Sequence, residues 1–130
     1  MSAFLKIKKR KDFVRAAKVG EKVVTTSIIL QAAQSLSETT IAPKFGFTTT
    51  KRLGKAHVRN RARRRMRAVV RELTQLGHDN TEYVLIGRHN TASCDFCILQ
   101  RDLKYALTKI NRILYGDKNE NSSKTTDLAD

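Results

Sequence analysis

The sequence of 130 residues has no tryptophan, a single proline and only two cysteines, Cys94 and Cys97. Two cysteines cannot staple a disulfide scaffold. Their C-x-x-C spacing has no second pair to complete the four ligands of a structural zinc site, so they are read as ordinary thiols. No stretch approaches the ~20 consecutive apolar residues of a membrane helix. The basic start is not followed by an apolar run with a small-residue cleavage site, so a secretory signal is not expected and the reducing cytoplasm is the expected compartment. Carboxylates are scarce and scattered. Asp12, Glu72, Asp79, Glu82, Asp95 and Asp102 show no paired spacing of the kind a two-metal nuclease needs, and His57, His78 and His89 fall in unrelated places. No catalytic residue and no metal ligand is expected in the chain itself.

The shortage of acids is matched by an excess of bases: 26 Lys and Arg against 12 Asp and Glu, a formal charge of +14. Such a charge repels itself in a compact domain and calls for an anionic partner, nucleic acid before membrane. Its distribution is more telling than its total. No acid occurs between Thr39 and Arg71, while Arg59, Arg61, Arg63, Arg64, Arg65, Arg67 and Arg71 crowd one short run. A second cluster comprises Lys6, Lys8, Lys9, Arg10 and Lys11.

Hydrophobic residues make up 40% of the chain, enough for one core. Phe13, Ala16 and Ala17 at helical spacing predict a helix over residues 11–18, stopped by Gly20. The β-branched stretch 22–33 predicts one or two strands, and 41–50 another, with Pro43 near its start where a missing donor is tolerable. Residues 57–76 form the clearest helix, with Ala62, Met66, Val69, Val70, Leu73 and Leu76 on one apolar stripe. The arginines lie outside that stripe and are expected to fan around the remaining circumference. Residues 82–87 read as a central strand, and 99–115 as a last helix with Leu103, Leu107, Ile110 and Leu114 in register. The expected fold is a two-layer α/β (α+β) sandwich with a small mixed sheet, in the order α-β-β-β-α-β-α. The folded domain is expected to span 1–116, followed by a disordered polar tail over 117–130.

Arginine suits phosphate because its planar fork makes two parallel charged hydrogen bonds. Major-groove readers of DNA mix such arginines with Asn, Gln and Ser for base edges. Here Asn60 alone is available within the run, which favours backbone and shape recognition of structured RNA. A basic DNA-binding protein with no catalytic RNA partner remains the alternative.

The string Lys44-Phe45-Gly46-Phe47-Thr48-Thr49-Thr50-Lys51-Arg52-Leu53-Gly54-Lys55-Ala56, followed by Arg59-Asn60-Arg61 and further bases, resembles the signature of the bacterial ribonuclease P protein component. The likeness extends to Asp12-Phe13, to Glu82-Tyr83-Val84-Leu85-Ile86-Gly87-Arg88 and to the closing helix. The resemblance implies an RNA-binding subunit that assists a catalytic RNA in endonucleolytic removal of the 5′ leader from precursor tRNA. The RNA would carry the hydrolysis, with magnesium, and no cofactor would be bound by the protein alone; neither DNA nor membrane would be a partner. It further implies that Arg59, Asn60, Arg61, Arg63, Arg64, Arg65 and Arg67 face the catalytic RNA. Phe13, Gly46, Thr48, Thr50, Lys51 and Arg52 would line a cleft for the leader. Ala17 and Gln31 stand where the family often has aromatics, which removes part of the stacking surface.

Overall fold

The computed structural model of the protein describes residues 4–36 and 39–116. The polar segment 117–130, expected to be a disordered tail, lies outside the described residues. The elements run β1 (Leu5–Lys6), α1 (Arg10–Val19), β2 (Glu21–Val24), β3 (Ile28–Gln34), β4 (Lys44–Thr48), α2 (Ala56–Leu73), β5 (Thr81–Gly87) and α3 (Phe96–Tyr115). Single 3-10 turns at Lys51–Leu53 and Thr74–Leu76 flank α2.

The strands form one mixed sheet in the order β1-β4-β5-β3-β2. β4 and β5 are parallel, with Lys44 opposite Glu82 and Thr48 opposite Ile86, and α2 is the crossover between them. β3 pairs antiparallel with β5 on one side and with β2 on the other. The expected order therefore holds, with one addition at its start. β1 pairs in parallel with β4 and hands on to a hydrogen bond from the Ile7 amide to the Phe45 carbonyl at 3.0 Å. Two residues are too few to show a period, so only the pairing partner defines this strand.

Period-two alternation gives each strand two different faces. Leu30, Phe45, Tyr83 and Leu85 point into the main core with Met66, Val69 and Val70 of α2 and Leu99, Leu103 and Ile110 of α3. The Phe45 and Tyr83 rings stack at 5.0 Å. On the other face Ile7 and Val84 pack with Ala16 of α1, and Phe13 and Ile86 lean against them. The expected sandwich is thus present, with α1 adding a partial layer over the second face.

Some boundaries move for local reasons. β4 is shorter than 41–50 because Ile41 pairs elsewhere: its amide donates to the Asn80 side chain at 2.6 Å, and its carbonyl accepts the Asn80 amide at 2.7 Å. Asn80 holds a left-handed φ of 59°, which asparagine tolerates better than most residues. Past β4 the chain tightens into the first 3-10 turn, closed by Gly54 at φ 128°.

A buried polar network anchors the segment between β5 and α3. Asp102, only 5% exposed, accepts hydrogen bonds from the Ser27 amide at 3.0 Å and the Ser27 hydroxyl at 2.8 Å. The Thr91 hydroxyl in turn donates to the Ser27 carbonyl at 2.6 Å and accepts the Arg88 amide at 2.7 Å. Burial alone would push the Asp102 carboxyl up, but the hydrogen bonds from Ser27, with help from Arg101, hold it below the usual carboxylate value. A lowered folded pKa contributes stability that is fully present above the ordinary carboxylate range and is lost as pH falls through the lower folded value. Asp102→Ala should cost about 2–3 kcal/mol, because it orphans two buried donors. Asp102→Asn should cost less and should flatten the acid limb of stability. Urea melts at neutral and acidic pH check both outcomes.

Candidate nucleic-acid interface

The arginines of α2 do not form one uniform fan. At 3.6 residues per turn they fall into rows around the buried stripe of Ala62, Met66, Val69 and Val70. Arg59 and Arg63 flank the stripe on the β4 side. The Arg63 guanidinium donates to the Thr49 hydroxyl at 2.5 Å and to the Asn60 side-chain oxygen at 2.6 Å. Arg59 reaches the Gly54 carbonyl at 3.4 Å. Arg61 and Arg65 flank the stripe on the opposite side, toward the 88–95 segment. Arg61 Nε donates to the Ala92 carbonyl at 2.6 Å. Arg65 donates to the Thr91 carbonyl at 2.8 Å and also to the Cys94 carbonyl, and its guanidinium lies over the Phe96 ring at 5.9 Å. The outward row holds Asn60, Arg64, Arg67 and Arg71. Arg67 leans over the Phe47 ring at 5.8 Å, while Arg64 and Arg71 are exposed.

The arginines surround the stripe as expected, but they are not equivalent. Arg65 has both terminal nitrogens engaged with main-chain carbonyls, and Arg63 is shared with β4 and Asn60. Arg61 is engaged through Nε, and its terminal nitrogens make no hydrogen bond among the described residues. The cations that face outward with least internal engagement are Arg64, Arg67 and Arg71.

A groove of about 640 Å³ lies between α1 and the sheet. Arg10, Phe13, Val14 and Ala17 supply its helical wall, Thr48, Val84 and Ile86 part of its sheet side, and Lys8, Thr49 and Arg63 also line it. Gly46 lies buried beneath it. A Cβ at that position would sit 2.6–2.7 Å from the end of the Phe13 ring and 3.2 Å from Ile7. The absent side chain is what lets the ring lie on the strand. Phe13 is half-buried, packed on the small cluster of Ile7, Ala16 and Val84 while lining the groove.

Of the residues expected in one cleft, the structure brings together Phe13, Gly46 and Thr48. Thr50, Lys51 and Arg52 lie past the end of β4, exposed at the 3-10 turn and outside the groove lining. Ala17 and Gln31 both line it. Lys8 and Arg10 belong to the N-terminal basic cluster visible in the sequence, but no local pattern says that the cluster folds back beside α1. Val14 and Phe47 also line the groove, and no pattern in the sequence singles them out. Arg63 reaches this groove from the helix assigned to a different partner. Among the described residues, no group of three or more His, Cys, Asp or Glu side chains is placed to hold a metal ion.

The family model described as Ribonuclease P matches residues 1–111 of this chain. The chain belongs to the ribonuclease P protein family. It is similar to the ribonuclease P protein component of Gluconacetobacter diazotrophicus, with 39% identity over 80% of this chain and 89% of the relative. The component from Paramagnetospirillum magneticum is 36% identical over 83% of this chain and 84% of the relative. The fold is that of solved ribonuclease P proteins. The Staphylococcus aureus structure superposes with a TM-score of 0.67 at 22% identity, covering 82% of this chain and 95% of that one. The Thermotoga maritima structure gives 0.66 at 20% identity, covering 82% and 96%. As a ribonuclease P protein component the chain is part of a tRNA-processing ribonucleoprotein, and its partner class is RNA. Among the described residues, no helix is long and apolar enough to cross a membrane.

Proposed function

We propose that this ribonuclease P protein holds the single-stranded 5′ leader of precursor tRNA in the groove between α1 and the sheet, and the catalytic RNA on the outward row of α2. It thereby assists the RNA, with its magnesium ions, in endonucleolytic removal of the leader. The observation that carries the reading is the Phe13 ring laid over Gly46 in a groove bordered by Lys8, Arg10 and Arg63. An aromatic face with cations around it is how single strands are held without sequence readout: bases stack, and phosphates meet the charges. Thr48 adds a hydroxyl, while Ala17 and Gln31 leave Phe13 to supply the groove's stacking face. Lys51 and Arg52, exposed beyond the groove, are placed to meet phosphates entering or leaving it. Thr50 stands at the head of their turn, off the groove wall.

Phe13→Ala should weaken precursor tRNA binding by the reconstituted holoenzyme about fivefold, toward the lower end of what one stacked base contributes. Binding of mature tRNA should not change. Because Phe13 is half-buried, the melting temperature should fall only slightly. The check is paired affinity measurement with precursor and mature tRNA. An unchanged ratio between them would remove the leader from this groove.

A further inference from the structure

A larger groove of about 1100 Å³ opens on the other flank of α1. Helical periodicity puts Lys11, Asp12 and Arg15 on this side, opposite Arg10, Val14 and Ala17. Lys6, Lys9 and Lys44 also line it, and Lys8 borders both grooves. At its floor lies Glu82, which is 7% exposed. Among the described residues its Oε1 atom accepts no hydrogen bond; it is ion-paired at 3.6 Å with Arg15 Nη1, which is likewise buried without a hydrogen-bond partner. Lys44 stands beside it across the β4–β5 ladder. Burial, reinforced by the Asp12 charge and opposed by Arg15 and Lys44, raises the Glu82 pKa.

A rim of cations over a buried carboxylate is an unusual pairing. A free phosphate or an acidic peptide would suit the rim and be repelled by the floor. A nucleotide satisfies both, because it carries an anionic phosphate and, on some bases, an amino donor. A carboxylate accepts naturally from the cytosine N4 amino group, whereas uracil presents a carbonyl oxygen at the same place. The geometry points to a second subsite for single-stranded RNA in this groove, with the rim lysines on phosphates and Glu82 accepting a hydrogen bond from a base amino group. This extends the strand proposed for the first groove past Lys8, and so rests on that reading.

The test is fluorescence anisotropy of the full chain with labelled oligocytidine and oligouridine of about a dozen nucleotides. The two bases are both pyrimidines and differ where Glu82 would read them. The wild type should prefer oligocytidine about tenfold, the scale of one specific base contact. Glu82→Gln, verified by its melting temperature, should bring the ratio close to one. Lys44→Ala should weaken both oligonucleotides. Phe13→Ala should also weaken both and leave the ratio intact. No cytidine preference in the wild type would overturn the subsite. So would a Glu82→Gln protein that binds both strands more tightly by the same factor, since that is mere loss of a negative charge. If Glu82→Gln does not fold, unchanged affinity in Lys44→Ala overturns it instead. A Phe13→Ala protein with unaltered affinity, beside a wild-type preference that Glu82→Gln abolishes, would sink the first groove alone.

Discussion

The affinity of this chain for ribonuclease P RNA is expected to fall about a thousandfold between about 50 and 200 mM salt, as for proteins that make about six phosphate contacts. Each arginine–phosphate contact releases condensed counterions, so the loss follows from mass action on salt. The candidates are the outward Arg64, Arg67 and Arg71, the terminal nitrogens of Arg61, and the exposed Lys55 just before α2. Arg64→Ala should lower the log–log slope by about one and leave the melting temperature unchanged. Arg65→Ala should do the reverse. Its guanidinium holds the Thr91 and Cys94 carbonyls, so its loss should destabilise the fold by about 1–3 kcal/mol and barely change the slope. Binding across a salt series, with thermal melts of each variant, separates the two roles. A flat salt dependence in the wild type would end the electrostatic account.

The second large effect is expected at Gly46, where no charge is involved. In Gly46→Ala the new methyl group would press on the end of the Phe13 ring. That ring is the far end of a flexible side chain and can swing away, but only into the groove. Ile7, 3.2 Å from the new atom, has less room to yield. The fold should therefore survive with a loss of about 1–3 kcal/mol, typical of overpacking. The preference for precursor over mature tRNA should drop about 30-fold, near the middle of what base stacking contributes. This exceeds the loss in Phe13→Ala because the displaced ring also obstructs the groove. The double variant decides whether the ring is the cause. With Phe13 already alanine, Gly46→Ala should cost little further in stability or in substrate preference, a strong departure from additivity. Additive losses would place the effect in the strand backbone.

Much of this molecule can be read along the chain. The stripe through Ala62, Met66, Val69 and Val70 is buried as its spacing requires. The β-α-β unit around it, the pair of strands before it and the closing helix with Leu103, Leu107 and Ile110 in the core are all present. Alternation placed Gly46 and Thr48 on one face and Phe45 on the other. These features are legible because they depend on neighbours a few residues away, and helix and strand periods are properties of short windows.

The amphipathic arginine helix, the acid-free run and the family signature from Lys44 onward follow from the order of residues along the chain. How the charges are used follows from what the folded chain sets beside them. Seven arginines of one type stand between positions 59 and 71, and nothing local distinguishes Arg64 from Arg65. They differ because the 88–95 segment, held by Thr91, Ser27 and Asp102, offers carbonyls to one flank of the helix and none to its outer side. Likewise Glu82 reads as one acid at the start of a strand until β4 sets Lys44 beside it and α1 lays Arg15 across it. A guanidinium or carboxylate takes its role from the hydrogen-bond partner or open space it meets, and that partner comes from chain tens of residues away.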